Sequence, residues 1–112
     1  MIDKSMMGSS ATLLVLSLLH QREMYGYEII SELAARSEDA FRMQEGTLYP
    51  LLHTLEQDGR ITAVLRQVGG RSRRYYRITS AGCALLAQKR SQWELINRML
   101  QSLAAQPQEG CL

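Results

Sequence analysis

Several residue types are scarce in these 112 residues, and each scarcity narrows the range of functions. There are two cysteines, Cys83 and Cys111, with neither metal-ligand spacing nor an evident bridging geometry. That pattern speaks against a disulfide framework and makes a reducing cytoplasm the expected location. The two histidines, His20 and His53, stand far apart, with no cysteine or carboxylate cluster at metal spacing and no glycine-rich nucleotide loop. No nucleophile has a positioned base beside it. We therefore expect no enzyme, no metal and no cofactor, and read His20 as a helix-end residue. Long apolar runs are also missing. The stretch ATLLVLSLL, residues 11–19, follows Lys4 in faint likeness to a signal peptide, but no small-residue cleavage site comes after it. It is too short to span a bilayer and reads as a buried helix, so no membrane partner is expected.

Acidic residues are absent from one long window. Between Gly59 and Trp93 there is no Asp or Glu, whereas Arg60, Arg66, Arg71, Arg73, Arg74, Arg77, Lys89 and Arg90 all lie there. The net charge of +2 conceals this imbalance, which points to a polyanion on one face.

Hydrophobic periodicity divides the chain. Residues 1–8, methionine-rich, read as a flexible tail. Ser9 or Ser10 caps a helix to about His20 that is apolar nearly all round, and so needs covering on several sides, in part by a second subunit. A turn centred on Gly26 leads to a helix over about 27–36, with Ile29, Ile30, Leu33 and Ala34 inward and Glu28, Glu32 and Arg36 outward. Residues 37–43 read as a polar loop. Leu48, Leu51, Leu52 and Leu55 then fall at i, i+3, i+4 and i+7, which is one face of a helix. Pro50 fits its first turn, where backbone N–H groups have no acceptor, and this sets the start near Gly46 or Thr47. Asp58-Gly59 ends it.

The period then changes. RITAVLR and RRYYRIT are strand-like and are separated by Gly69-Gly70, a hairpin whose second strand puts Arg74, Tyr76 and Ile78 on one side and Arg73, Tyr75 and Arg77 on the other. Thr79 caps a last helix over residues 80–104. Its Leu86, Trp93, Ile96, Leu100 and Leu103 mark a near-heptad seam for another helix, such as one from a second chain. Residues 105–112 have no apolar period and read as a disordered tail.

These elements give a fold class that is mainly α with a small β-hairpin: a winged helix-turn-helix over residues 9–79 and a long C-terminal dimerisation helix over 80–104. In such folds the last helix before the hairpin enters the major groove of DNA. The helix front end, with its free N–H groups, suits phosphates or acceptor-rich base edges. Thr47 and Tyr49 offer hydroxyls there, Pro50 stiffens the turn and can touch a thymine methyl, and His53 and Thr54 reach base edges. Arg71, Arg73 and Arg74 at the hairpin suit phosphates or a narrow minor groove. Tyr25 and Tyr27 flank Gly26 and serve either as phosphate contacts or as packing.

The segments MYGYEIISEL, EGTLYPLLHTLEQDGRI and GGRSRRYYRIT, followed by SAG and a long helix carrying Trp93, resemble the PadR family of bacterial transcriptional regulators from Ala11 to about Leu103. The resemblance implies a winged-helix protein that binds double-stranded DNA as a homodimer, usually a repressor relieved by a small molecule. In the short-tailed members, which this chain resembles in length, the single C-terminal helix packs on the partner's first helix. Some of these hold planar aromatic compounds between tryptophans at the position of Trp93. Ser72 departs from the pattern, since many relatives carry proline or a basic residue there. A second possible function is a winged-helix ligand-sensing or protein-interaction module that does not bind DNA.

Overall fold

A computed structural model describes residues 4–104 of the chain. Helix α1 spans Lys4–Gln21, strand β1 Met24–Tyr25, helix α2 Gly26–Arg36, helix α3 Glu45–Gln57, strands β2 and β3 Ile61–Val68 and Arg71–Ile78, and helix α4 Ser80–Ala104. The first helix begins well upstream of the cap expected at Ser9 or Ser10, so residues 4–8 of the expected tail are helical. Methionine and lysine in that segment are good helix formers, and the serines are interior residues. Residues 1–3 and the expected C-terminal tail, 105–112, lie outside the described residues.

The core collects the faces that periodicity marks. Val15, Leu16, Ile29, Leu48, Leu52 and Ile61 are nearly or fully buried, and no polar or charged residue is buried among the described residues. Ile29 and Leu33 of α2 point inward, while Glu28 and Glu32 on its outer side pair with Arg22, and Glu32 also with Arg36. Two core residues come from the segment expected to be a polar loop. Phe41 and Met43 are buried there, and Ser37 Oγ accepts the Phe41 N–H at 2.9 Å, which folds the loop back on α2.

Helix α3 starts at Glu45, with the Gln44 carbonyl accepting the Leu48 N–H at 2.9 Å. Pro50 is therefore the sixth helical residue, not a first-turn one. It leaves the Gly46 carbonyl without its i+4 donor and crowds that carbonyl with its ring, which costs about 3 kcal/mol in a helix interior. The buried Leu48, Leu52 and Leu55 outweigh that, at about 1.5–3 kcal/mol each. The helix ends as expected. Gly59 adopts φ +73, and the Gly59 and Arg60 N–H groups reach back to the Glu56 and Leu55 carbonyls.

Strands β2 and β3 pair antiparallel without a bulge, from Ile61 opposite Ile78 to Val68 opposite Arg71. Gly69 and Gly70 both have positive φ, as the tight two-residue hairpin turn requires. The sheet has three strands in the order β1-β3-β2, because Met24 and Tyr25 pair with Tyr76 and Tyr75. The expected turn at Gly26 is thus preceded by a short strand. Tyr76 is buried and Ile78 packs on the core, as the alternation predicts. Thr79 caps α4: its Oγ1 accepts the Gly82 N–H at 3.1 Å and donates to the Gly59 carbonyl at 2.6 Å. Past Leu86, helix α4 leaves the core. Trp93, Leu95, Ile96, Met99, Leu100 and Leu103 are all more than half exposed.

Candidate nucleic-acid interface

The leucines turn one face of α3 to the core, and that fixes what the other face presents. Pro50, His53 and Thr54 are exposed and Thr47 is half-buried. The Thr54 hydroxyl donates to the Pro50 carbonyl at 3.1 Å, so its donor is engaged within the helix. Tyr49 is 43% exposed, and its ring lies over Gly26 at the start of α2, with the phenol oxygen nearest. Burial raises the Tyr49 phenol above its ordinary value of 10.0, with smaller contributions from Glu45 and Tyr76. Glu45 lies in the first turn of α3, where its carboxylate already uses part of the positive helix end that a phosphate would seek.

The basic hairpin is less free than its sequence suggests. The window has no acids along the chain, but acids from outside it reach its arginines in space. Glu23 pairs with both Arg66 and Arg77, and Glu56 near the end of α3 receives Arg74 Nη2 on both oxygens, at 2.7 and 3.0 Å. The Glu56 contact also raises the Arg74 guanidinium above its ordinary value. Arg73 is held differently, with its guanidinium carbon 4.2 Å from the centre of the Tyr25 ring. Arg71, at the turn, makes no ion pair among the described residues.

Among the side-chain ion pairs of the described residues, one links helix α3 to the hairpin directly. Arg74–Glu56 joins β3 to the C-terminal end of α3. Nearer its front end α3 rests on α2, with Tyr49 against Gly26, while Arg73 separately lies over Tyr25 of β1. Tyr25, Glu23 and Glu56 are the positions that sequence reasoning did not single out for a defined role. The one available signal was the aromatic-glycine-aromatic run 25–27. Tyr27 itself is 62% exposed, so the two tyrosines of that run have separate surroundings.

Elsewhere on the molecule, Trp93 lines an open groove of about 540 Å³ between α1 and α4, with Leu13, Leu14, Phe41 and Arg90. A second groove of about 320 Å³ shares Leu14, Ser17 and Phe41 with it. Among the described residues no group of His, Cys, Asp or Glu is arranged to hold a metal, and no helix is long and apolar enough to cross a membrane.

The family model for the transcriptional regulator PadR-like family matches residues 15–88. The chain belongs to the PadR-like family. It is 42% identical over 86 residues to transcriptional regulator Rv3488 of Mycobacterium tuberculosis, covering 74% of this chain and 78% of that protein. Among solved structures, a transcriptional regulator from Clostridium thermocellum superposes with a TM-score of 0.82 at 29% identity, covering 90% of this chain and 99% of the other. A PadR-like transcriptional regulator from Bacillus cereus superposes at 0.81 with 26% identity, over 93% and 100% of the two chains. PadR-like proteins are transcriptional regulators that bind DNA, not enzymes, and this PadR-like chain has their winged-helix fold.

Proposed function

We propose that this PadR-like regulator is a cytoplasmic homodimeric repressor that reads a palindromic operator and is released from it by a planar aromatic small molecule. The observation that carries the DNA reading is the Arg74–Glu56 pair, which ties β3 of the wing to α3. It supports an arrangement in which α3 and the wing address one duplex. Thr47, Tyr49, Pro50, His53 and Thr54 are the proposed groove-facing residues, and Arg71, Arg73 and Arg74 the proposed phosphate or minor-groove contacts. In a two-fold dimer the half-site centres lie one DNA turn apart, about 34–36 Å. The dimer reading is supported by the apolar stripe that α4 leaves in solvent. A row of that size on a soluble chain calls for a covering partner, and a second copy supplies one with matching helices. The effector reading is supported by the groove at Trp93, whose volume of about 540 Å³ falls in the range of small-molecule sites.

The test is equilibrium binding of the full chain to duplex DNA from upstream of its own coding region, over a series of salt concentrations. A dimer that neutralises about six to ten phosphates loses roughly 10³–10⁵ in affinity between 50 and 200 mM salt, and a slope near zero overturns the DNA reading. Leu100→Asp places a charge on the exposed stripe. The variant should sediment as a monomer and lose tight operator binding, and a dimer unchanged by it removes α4 from the interface. Since Trp93 is the only tryptophan, its emission reports ligand directly. Unchanged emission across a varied aromatic panel counts against the effector role.

A second reading has one observation in its favour. Glu23 and Glu56 offset three of the hairpin arginines, which is what a sensing or interaction module without DNA binding would also tolerate. The same salt series separates the two.

A further inference from the structure

We infer that Tyr25 is a positioning residue for the wing. Its ring holds the Arg73 guanidinium in a fixed orientation while leaving that arginine's charge and hydrogen-bond donors available to DNA. This rests on the DNA-binding reading above.

An arginine acts on a phosphate only when its guanidinium is correctly placed. Its long side chain is mobile, and ordering it on binding costs roughly 2 kcal/mol of rotamer entropy. Two ways of ordering it in advance lie side by side in β3. Arg74 is ordered by an acid: Nη2 donates to both Glu56 oxygens, so that donor is occupied and its charge is offset. Arg73 is ordered by a ring. Its guanidinium carbon lies 4.2 Å from the Tyr25 centroid, well inside the distance of about 6 Å at which a cation is attracted to an aromatic face. Stacking engages the guanidinium through its flat face, whereas its N–H groups point outward from the edge. The contact therefore fixes direction without using donors or cancelling charge.

A support works only if it is itself fixed, and Tyr25 is held from several sides. Its backbone belongs to β1, opposite Tyr75 of β3, and its N–H donates to Glu28 Oε1 at 3.3 Å at the start of α2. The Tyr25 ring meets the Tyr75 ring edge-on, with centroids 5.4 Å apart and planes at 70°. Arg66 lies over the far ring at 5.9 Å and is tied to Glu23. A continuous row of Arg73, Tyr25, Tyr75 and Arg66 thus crosses one face of the sheet, anchored at both β1 and α2. None of these contacts uses the Tyr25 hydroxyl, so the ring is the working part.

The experiment is a set of four variants of the full chain, read by affinity for the upstream duplex and by the salt slope. Tyr25→Leu fills similar space but removes the ring. It should weaken binding roughly five- to thirty-fold, the size expected when one exposed cation–π contact is lost from each half of a dimer. Its salt slope should stay at the wild-type value, because the charge on Arg73 remains. Tyr25→Phe keeps the ring and should restore binding. Arg73→Lys keeps charge but cannot stack as a planar group, and should match Tyr25→Leu. Arg73→Ala should lower the slope by about two for a dimer, and adding Tyr25→Leu to it should cost nothing more. Additive losses in that pair overturn the inference, as does a Tyr25→Phe protein as weak as Tyr25→Leu. Should Tyr25→Leu fail to fold, Arg73→Lys and Tyr25→Phe still decide. Wild-type protein without salt-dependent binding sinks the DNA reading and this inference together, whereas normal wild-type binding with additive variants sinks this inference alone.

Discussion

Replacing Gly26 by alanine tests how tightly α3 is docked on the start of α2. A methyl group built on Gly26 falls 2.7 Å from Tyr49 Cζ and 2.8 Å from Cε1, with the phenol oxygen closer still. Carbon atoms need about 3.5–4.0 Å, so the ring and the methyl cannot share the site. The backbone raises no objection, since alanine in a helix is favoured over glycine by about 0.5–1 kcal/mol. The outcome thus depends on the ring, which is partly exposed and can swing outward. A tyrosine buries about 150–250 Å² when fully covered. Tyr49 covers somewhat more than half of itself, so expelling it exposes on the order of 100 Å², or about 2.5 kcal/mol at 25 cal/mol per Å². After the alanine gain, the net loss is at most about 2 kcal/mol. At about 4–8 °C per kcal/mol this lowers the melting midpoint by up to roughly 15 °C at fixed protein concentration. Affinity for DNA should fall further than stability does, because the displaced ring lies on the proposed groove-facing side of α3. The decisive control is the same substitution in a Tyr49→Ala background, where Gly26→Ala should be neutral or stabilising. If it destabilises there as strongly as in the wild type, overlap with Tyr49 is not the cause and the docking argument fails.

Glu56→Gln releases Arg74 from its offsetting charge, so operator affinity should rise and the salt slope should steepen by about two for a dimer. Stability should fall by less than about 1 kcal/mol, since the pair is partly exposed; an unchanged slope would mean that Arg74 does not reach phosphate. Gly82→Ala meets a surface that cannot yield: its methyl falls 2.7 Å from Ile78 Cγ1 and against the Arg60 carbonyl, which accepts the Thr79 N–H. Urea unfolding should show a loss of about 1–3 kcal/mol, and wild-type stability would contradict that packing. Tyr49 also links stability to pH. Its raised phenol value means that the unfolded chain gives up the proton first. The stabilisation is complete below about pH 10 and is lost as pH rises through the raised folded value. Tyr49→Phe should flatten that alkaline decline in urea titrations at a series of pH values, and an identical decline in both proteins would refute the assignment.

How much of this could be read from the sequence depends on whether a feature repeats along the chain. Leu48, Leu52 and Leu55 announce α3 because burial imposes the helical period on consecutive turns. Gly69-Gly70 and Thr79 announce the hairpin turn and the α4 cap because the backbone at those points demands particular residues. Strand β1 carries no such mark. Two residues cannot display a period, and their partners lie some fifty positions away in β3. Phe41 and Met43 are buried one by one from an irregular segment, where no spacing rule applies. The helix starts one or two residues earlier than expected, which takes Pro50 out of its first turn, because Gln44, which is not among the favoured capping residues, begins the helix through its carbonyl alone. Along α4, heptad spacing found Trp93, Ile96, Leu100 and Leu103 but passed over Leu95 and Met99, which widen the same exposed stripe.

The wing shows the same limit in its charges, and there it bears on function. Counting residues between Gly59 and Trp93 gives a basic segment without acids, whereas folding brings Glu23 and Glu56 onto Arg66, Arg74 and Arg77. Along β3 from the turn inward, three arginines are then held in three ways: Arg71 by no ion pair among the described residues, Arg73 by a ring, Arg74 by a carboxylate. On the proposed reading, a duplex approaching the wing meets an uncompensated charge first, which favours encounter with any sequence. It next meets an oriented guanidinium, which adds affinity without further ordering. Engaging Arg74 requires exchanging one anion for another, so its net gain in affinity is small unless the phosphate arrives with geometry as good as that of Glu56. That last exchange favours a correctly seated site over a loosely bound one, and it makes Glu56 a residue that trades general affinity for discrimination.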